Sequence, residues 1–437
     1  MLLITNAKIL TPNTIIENGA VCLDANLIKE IGSTQELKTK YPDAEEIDAK
    51  NGLVMPGLAN AHMHLYSTFA RGMAPKGEPA ANFMQILERL WWKVDKALTL
   101  EDVYYSSLIP LIECVKAGTT SMIDHHASPQ AVTGSLTKIK DALEKIPVRA
   151  SLCYEVSDRD GQEICQQGIN ENASFIKSCA DNNMLQGLFG LHASFTVSDK
   201  TLEQCAQIVT DLNTGCHVHT AEDKADVRHC QNKYNMGVVE RFHKFGLLNP
   251  KSIFVHCVHI EKDEMDLIAQ AGANVVHNPE SNMNNAVGCS DVMAMLAKNC
   301  LVGLGTDGMT SDMFQEAKFA HLIRKQVMSD PRVGFMQAGE LLFENNYKIL
   351  SQYFDGTLGK IEEGALADVI ILNYDPPTPL TRDNFLGHFL FGMNSSLVNT
   401  TIVNGKVLMR NRELIGIDEE EINAKGRELA EKMWGRL

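Results

Sequence analysis

The sequence predicts a (β/α)8 TIM barrel with a small β-sandwich domain formed from both termini. The chain has 437 residues, which is long for one ordinary domain but suits a barrel with an accessory domain. Through its middle, eight short apolar runs alternate with segments of helical periodicity. Both ends instead alternate apolar and polar residues and are interrupted by Asn and Gly, which is typical of short antiparallel strands.

The two ends define the predicted accessory domain. The N-terminal part contains LLITNAKILTP and NGAVCLDANLIKEIG, and the C-terminal part contains ADVIILNYDP and NTTIVNGKVLMRNREL. Asn404-Gly405 in the last segment is a strong signal for a hairpin turn. We therefore expect residues 1–55 and 365–415 to form the β-sandwich domain, residues 56–364 to form the barrel, and residues 416–437 to form an amphipathic C-terminal helix.

The eight middle runs predict the barrel strands. They are MPGLANAHMH, TTSMIDHH, PVRASLCYEV, LQGLFGLH, GCHVHT, SIFVHCVH, ANVVHNP and LVGLGTD. The carboxyl ends of barrel strands converge on one face, where folds of this class place their active sites. Polar residues able to do chemistry stand at nearly every one of those ends: His62 and His64, His125 and His126, Glu155, His192, His219, His256, His277 and Asp307.

Composition and charge limit the kinds of partner that we expect for this protein. The formal net charge is −15, and the basic residues form no stripe, so a nucleic acid polymer is not expected to bind. No segment approaches eighteen uninterrupted apolar residues and the N-terminus does not resemble a secretion signal, so we expect no membrane association and a cytoplasmic location. The eleven cysteines include no C-x-x-C and are expected to be reduced. A small-molecule substrate is the expected partner, and a homo-oligomer stays open.

The side chains at the converging strand ends are first of all candidates for a metal site. His62 and His64 stand two apart on one strand, so their imidazoles point the same way. Asp307 ends a strand too apolar to hold an isolated carboxylate, which needs a cation, hydrogen bonds or a helix N-terminus nearby. With His219, this set offers three imidazoles and one carboxylate, which suits one Zn²⁺, with Fe²⁺ as the alternative.

Glu222 is the candidate proton carrier. It follows His219 by three residues in H-T-A-E, so it can lie over whatever His219 binds without being a ligand. His217 shares the inward face with His219, and we interpret it as a packing residue, with a supporting hydrogen bond to the metal site as the alternative.

Residues 303–308 read GLGTDG and match the dinucleotide-binding pattern G-x-G-x-x-G. That pattern should open the first βαβ unit and be followed about 20 residues later by an acidic residue, whereas Val327 stands there in a helix-like stretch. We therefore do not expect a nucleotide cofactor.

These residues together resemble the amidohydrolase superfamily, and within it the cytosine deaminase and chlorohydrolase-like branch. The motifs are VMPGLANAHMHL, HTAE, VHC, HNPESNMN and GLGTDG, and the likeness covers essentially the whole chain. LERLWWKVDKAL, SMIDHHASP, SNMNN and TDGMTSDMF are most similar to SsnA-type aminohydrolases. After SNM, Asn284 and Asn285 replace the Lys-Leu-like pair common in relatives.

The resemblance implies residue roles. His62, His64, His219 and Asp307 would bind the metal, Glu222 would carry protons, and His256 would orient the attacking hydroxide. The bridging lysine of two-metal members is missing from LQGLFGLHASF, so one metal ion is expected. Candidate substrate contacts are His126, Glu155, His192 and Asn284, whereas Trp91 and Trp92 are interpreted as packing against the barrel rim.

The expected reaction is deamination of an amino-substituted nitrogen heterocycle (purine, pteridine, pyrimidine or triazine-like) through a metal-bound hydroxide. Glu222 would protonate a ring nitrogen and later the leaving amine, and Asp307 would accept the water proton while remaining a ligand. Two alternatives remain: an amidohydrolase that opens a cyclic amide or removes chloride, and a non-catalytic metal-binding barrel.

Overall fold

The computed structural model describes residues 1–74 and 77–437 and places their strands in three sheets. One sheet is built from both ends of the chain, and the other two form the barrel. The strands of the first sheet are β1 (Leu2–Leu10), β2 (Ile15–Asp24), β3 (Leu27–Ser33), β4 (Glu45–Asp48), β5 (Leu53–Pro56), β15 (Val369–Leu372), β16 (Val398–Val403), β17 (Lys406–Arg410) and β18 (Glu413–Leu414). The barrel strands are β6 (Leu58–Met63), β7 (Thr119–His126), β8 (Arg149–Tyr154), β9 (Leu185–Gly187), β10 (Phe189–Ala193), β11 (Cys216–Thr220), β12 (Ile253–His256), β13 (Asn274–His277) and β14 (Leu301–Leu304).

The terminal sheet has the order β18-β17-β16-β15-β5-β1-β2-β3, with β4 paired to β1. The antiparallel pair β15 and β5 joins its C-terminal half to its N-terminal half. Asn404 and Gly405 both have positive φ, 50° and 77°, and link β16 to β17. Positive φ at both central residues matches the right-handed twist of a hairpin, which explains the Asn-Gly pair.

The barrel is confirmed, with its strands parallel throughout. β6 to β9 form one sheet and β10 to β14 the other. β9 and β10 are two parts of the fourth barrel strand, separated at Leu188. A bridge between Val156 and Leu191 joins the two sheets on one side, and a bridge between Met63 and Asp307 joins them on the other.

Helices pack around the barrel, and the first helix packs on strands β1 to β3 of the terminal sheet. The longest, Leu100–Ala117, begins with a capping box in which Thr99 and Asp102 bond each other's backbone amides, and ends at Gly118 with φ 76°. The helices are α1 (Thr34–Lys40), α2 (Phe83–Ile86), α3 (Trp92–Ala97), α4 (Leu100–Ala117), α5 (Ser135–Lys145), α6 (Gln162–Ser178), α7 (Asp199–Asp211), α8 (Lys224–Tyr234), α9 (Val238–Lys244), α10 (Lys262–Ala271), α11 (Pro279–Asn284), α12 (Val292–Ala297), α13 (Met313–Met328), α14 (Phe335–Glu340), α15 (Asn346–Leu350), α16 (Phe385–Gly392) and α17 (Glu419–Trp434).

Two contacts tie the ends of the chain to the barrel. Arg149 at the start of β8 is fully buried and its Nε lies 3.0 Å from Asp368, beside β15. The C-terminal helix α17 packs on α4, where Gly426 permits close approach because a Cβ there would lie 2.5 Å from Ile109 Cδ1. Within the described residues, no helix has both the length and the apolar character needed to cross a bilayer.

A short helical segment lies between the first barrel strand and α4. It consists of α2, a π-helical turn at Leu87–Trp91, and α3. Phe83 and Leu87 pack with Val287 of the loop after α11. The segment therefore covers the carboxyl ends of the barrel strands, and π-turns occur frequently at functional sites.

Candidate active site

The first and last barrel strands meet at His62 and Asp307. The amides of Thr306 and Asp307 donate to the carbonyl oxygen of His62, at 2.9 and 3.0 Å. Gly305 permits this approach, because a Cβ there would lie 2.7 Å from the same oxygen. The G-x-G of residues 303–305 therefore allows close backbone packing where the barrel closes, and does not open a dinucleotide-binding unit.

The four side chains predicted as metal ligands converge here. His64 Nε2 lies 3.0 Å from Asp307 Oδ1 and 3.2 Å from His219 Nε2. His62 Nε2 lies 3.4 Å from the same Asp307 oxygen. His256 joins them, because one ligand atom from each of His62, His219, His256 and Asp307 falls within 4.8 Å of the others.

The unsatisfied atoms in this cluster fit a cation. His62 Nε2 and His256 Nε2 are buried and have no hydrogen-bond partner among the described residues. A buried polar atom without a partner is costly, so two of them aimed at one point indicate an interaction with something bound there. Imidazole and carboxylate donors in this number suit one divalent ion of the zinc or iron type.

The second ring nitrogen of each predicted histidine ligand is held by the surrounding barrel. Such bonds fix the tautomer and leave Nε2 free to face a metal. The partners of the three Nδ1 atoms are His217 Nε2 at 2.9 Å for His62, the carbonyl of His125 for His64, and the carbonyl of His192 at 3.0 Å for His219. The structure thus gives His217 the supporting hydrogen bond that the sequence analysis held as its alternative.

Burial and the Asp307 carboxylate set the charges of the cluster. Burial lowers the pKa of His62 to about 3 and holds that of His219 well below its usual range, so both are neutral at pH 7. Burial also acts to lower the pKa of His64, but the hydrogen bond and charge of Asp307 outweigh it and raise the pKa to about 9. Burial alone would raise the pKa of Asp307, yet the nearby imidazoles of His62 and His64 hold it well below its usual range.

Glu222 lies next to this cluster but apart from the histidine ligands. Its Oε2 is 3.4 Å from His256 Nε2, and its Oε1 accepts a bond from Asn285 at 3.3 Å. Burial and the nearby negative charge of Asp307 raise the pKa of Glu222 well above its usual range. Burial lowers the pKa of His256 to about 4. The site therefore pairs a carboxyl group whose protonated form is favoured with an imidazole that is neutral at pH 7.

A pocket opens above the cluster, and two of the four predicted substrate contacts line it. Glu155 and His192 face it, with Glu155 Oε1 3.9 Å from His192 Nε2. His126 is buried behind Tyr66, with its ring 5.5 Å from the Tyr66 ring, and is not among the lining residues. Asn284 is exposed, and the next residue, Asn285, faces the pocket instead.

Other residues that line the pocket were not predicted from the sequence as substrate contacts. Trp91 and Trp92 line the pocket and also pack against Phe83, Leu87 and Val287. The Arg159 guanidinium lies 5.3 Å from the centre of the Trp92 ring and pairs with Asp95 and, at 3.2 Å, with Glu155 Oε1. Burial would raise the pKa of Glu155, but His192 and Arg159 hold it well below its usual range. On this side of the pocket, the charged groups of Arg159, Asp95 and Glu155 therefore lie beside the ring of Trp92.

Comparisons with known proteins show the family of this chain. The sequence model of the amidohydrolase family matches residues 53–408. A 5-methylthioadenosine/S-adenosylhomocysteine deaminase from Dictyoglomus turgidum is 31% identical over 429 residues, 96% of each chain. A 5'-deoxyadenosine deaminase from Methanosarcina mazei is 30% identical over 447 residues, 100% of this chain and 99% of that protein. The crystal structure of an adenosine deaminase from Xanthomonas campestris with bound zinc has the same fold, with a TM-score of 0.88 at 23% identity over 99% of this chain and 98% of that one.

Proposed function

Because this chain belongs to the amidohydrolase family, we propose that it is a metal-dependent aminohydrolase that replaces the amino group of a nitrogen heterocycle by oxygen and releases ammonia. The observation that carries the proposal is the pairing of Glu222 and His256, 3.4 Å apart, at the edge of the histidine and aspartate cluster. A site that only stored a metal would have no need for a buried acid held beside the ligands.

His62, His64, His219 and Asp307 are the residues that would hold the metal, which we propose to be one Zn²⁺ with Fe²⁺ as the alternative. When bound, the metal lowers the pKa of water from 15.7 to about 7, and so makes hydroxide available as a nucleophile at neutral pH. The donor set supports this choice, since neutral imidazoles and one carboxylate are ligands common to both ions.

Glu222 would act as the proton carrier. Its raised pKa favours the protonated carboxyl group, which can donate to a ring nitrogen as the neighbouring carbon is attacked. It would then take up a proton from the attacking oxygen and deliver it to the leaving amine. His256, neutral and directed at both Glu222 and Asp307, would hydrogen-bond the attacking oxygen and hold it in line.

Glu155, His192 and the tryptophan surface would hold the heterocycle over the metal. Flat rings stack favourably on aromatic side chains, and Trp91 and Trp92 line the same pocket as Glu155. The two relatives named above are deaminases of 6-aminopurine nucleosides. We therefore propose such nucleosides as the first substrates to test, with aminated pteridines, pyrimidines and triazines as the wider panel. We also propose a cytoplasmic location for the enzyme.

Glu222→Gln is the experiment that tests the proposal. Glutamine keeps the shape of the side chain but cannot cycle a proton, so turnover should fall by about 10²- to 10⁴-fold. The metal content should stay at one equivalent per chain, because Glu222 is not a ligand. Elemental analysis beside ammonia release from the panel measures both quantities. Unchanged turnover would remove Glu222 from the mechanism, and lost metal would make it a ligand.

A further inference from the structure

Helix α11 and the residue directly after it present two polar side chains to the site. Ser281 and Asn285 stand four residues apart and are both buried, whereas Met283 and Asn284 between them are exposed. Residues four apart on a helix lie on the same face. Pro279 at the first turn fixes where this helix begins, just after the end of β13.

These two residues connect the proposed proton carrier to a proposed metal ligand. Asn285 Nδ2 donates to Glu222 Oε1 at 3.3 Å and to Ser281 Oγ at 3.4 Å. Ser281 Oγ in turn donates to Asp307 Oδ2 at 2.5 Å. Since an amide nitrogen and the serine hydroxyl point their hydrogens toward the two carboxylates, each carboxylate receives a donor on one defined oxygen.

We propose that Asn285 is the positioning residue for Glu222, and that it assigns different tasks to the two carboxyl oxygens. This inference rests on the proposed function. Oε1 accepts from Asn285 and so serves as the carbonyl-type oxygen, because an N–H group cannot accept a proton from it. Oε2, which faces His256 at 3.4 Å, is left as the oxygen from which the proton moves.

The bridge also holds the two carboxylates at a fixed spacing. Asp307 Oδ2 is occupied by Ser281, so Oδ1, the oxygen nearest His62 and His64, is the one directed at the ligand cluster. A rotation of the Glu222 carboxyl would break the Asn285 bond and turn the proton away from the reacting atoms. Asn285 therefore acts on the reaction through Glu222.

Crystal structures of the metal-loaded protein give the first test. In the wild type, Glu222 should show one carboxyl orientation with Oε1 toward Asn285. Asn285→Leu, which keeps a similar size but has no donor, should lose that orientation while the metal stays bound. Met283→Ala on the same helix is the matched control and should keep it. An unchanged Glu222 in Asn285→Leu would overturn the proposal.

A double-mutant cycle gives the second test, because residues that act through one step are not additive. Asn285→Leu alone should lower kcat by about 10- to 100-fold, the worth of a hydrogen bond to an ionisable group, with KM nearly unchanged. In the Glu222→Gln background the same change should lower kcat by less than about threefold. An equal loss in both backgrounds would indicate a general structural role and contradict the proposal.

The two proposals fail in different ways. If the wild type released no ammonia from any heterocycle of the panel, the proposed function would be wrong, and the crystal structures would still decide whether Asn285 orients Glu222. If the wild type were active and Asn285→Leu retained both full kcat and the wild-type Glu222 orientation, only the role of Asn285 would be wrong.

Discussion

Replacing His217 with phenylalanine should weaken metal binding without removing a ligand. His217 is fully buried, and its Nε2 lies 2.9 Å from His62 Nδ1. If His62 binds the metal through Nε2, its proton must be on Nδ1, so His62 donates and His217 accepts. The proton of His217 is then on Nδ1, which lies 3.5 Å from Cys153 Sγ. Phenylalanine fills similar space but leaves the N–H of His62 without an acceptor.

The size of the effect follows from that one bond. A buried donor left without a partner costs about 1–3 kcal/mol. Loss of a partner that orients a metal-binding histidine typically weakens metal affinity by about 10- to 100-fold, which is about 1.4–2.7 kcal/mol. The two ranges agree, so His217→Phe should raise the Kd for Zn²⁺ by about that factor.

Competition for Zn²⁺ against a chelator of known affinity measures this change on the metal-free protein. Turnover in excess Zn²⁺ should recover, because the four ligands are intact. Cys153→Ala is the control: it removes the sulfur near His217 but keeps the acceptor for His62, so its effect should be smaller. A wild-type Kd in His217→Phe, or an equal loss in Cys153→Ala, would refute the reasoning.

Two further predictions concern stability and protonation. Arg149→Met should lower the free energy of unfolding by about 3–5 kcal/mol, because it leaves Asp368 buried without its cation. The control, Arg332→Met at the surface, should leave the midpoint of urea unfolding unchanged. Equal shifts of the midpoint in the two variants would contradict this prediction. The pKa of about 9 at His64 means that metal uptake at pH 7 should release one proton, and that affinity should rise about tenfold per pH unit until pH 9. Calorimetry in buffers of different ionisation enthalpy counts the proton, and no release would contradict the pairing of His64 with Asp307.

The barrel could be predicted from the sequence because each strand ends in a polar residue. An apolar run followed by His, Glu or Asp is recognisable without knowledge of the surroundings, and all eight runs contain a strand of the barrel. The clustering of His62, His64, His219 and Asp307 follows from the same rule, since barrel strands share one direction.

Which side chains line the pocket depends on geometry that no single sequence segment contains. Asn284 and Asn285 look equivalent in SNMNN, yet one turn of helix from Ser281 reaches Asn285 and leaves Asn284 in solvent. The four-residue spacing from Ser281 would have selected Asn285 over Asn284. Trp91 ends a π-turn and Trp92 begins the helix after it, and a π-turn has no clear sequence signature. Arg159 contacts Asp95, which lies 64 positions earlier in the chain.

The origin of the product's oxygen tests the central claim most directly. The metal-loaded protein is incubated with a panel heterocycle in water enriched in ¹⁸O, and product mass and ammonia are measured together. The account predicts one solvent oxygen in each product molecule and one ammonia released per product, with both lost together in Glu222→Gln. Product without ammonia, or without solvent oxygen at the carbon that carried the amine, would contradict it.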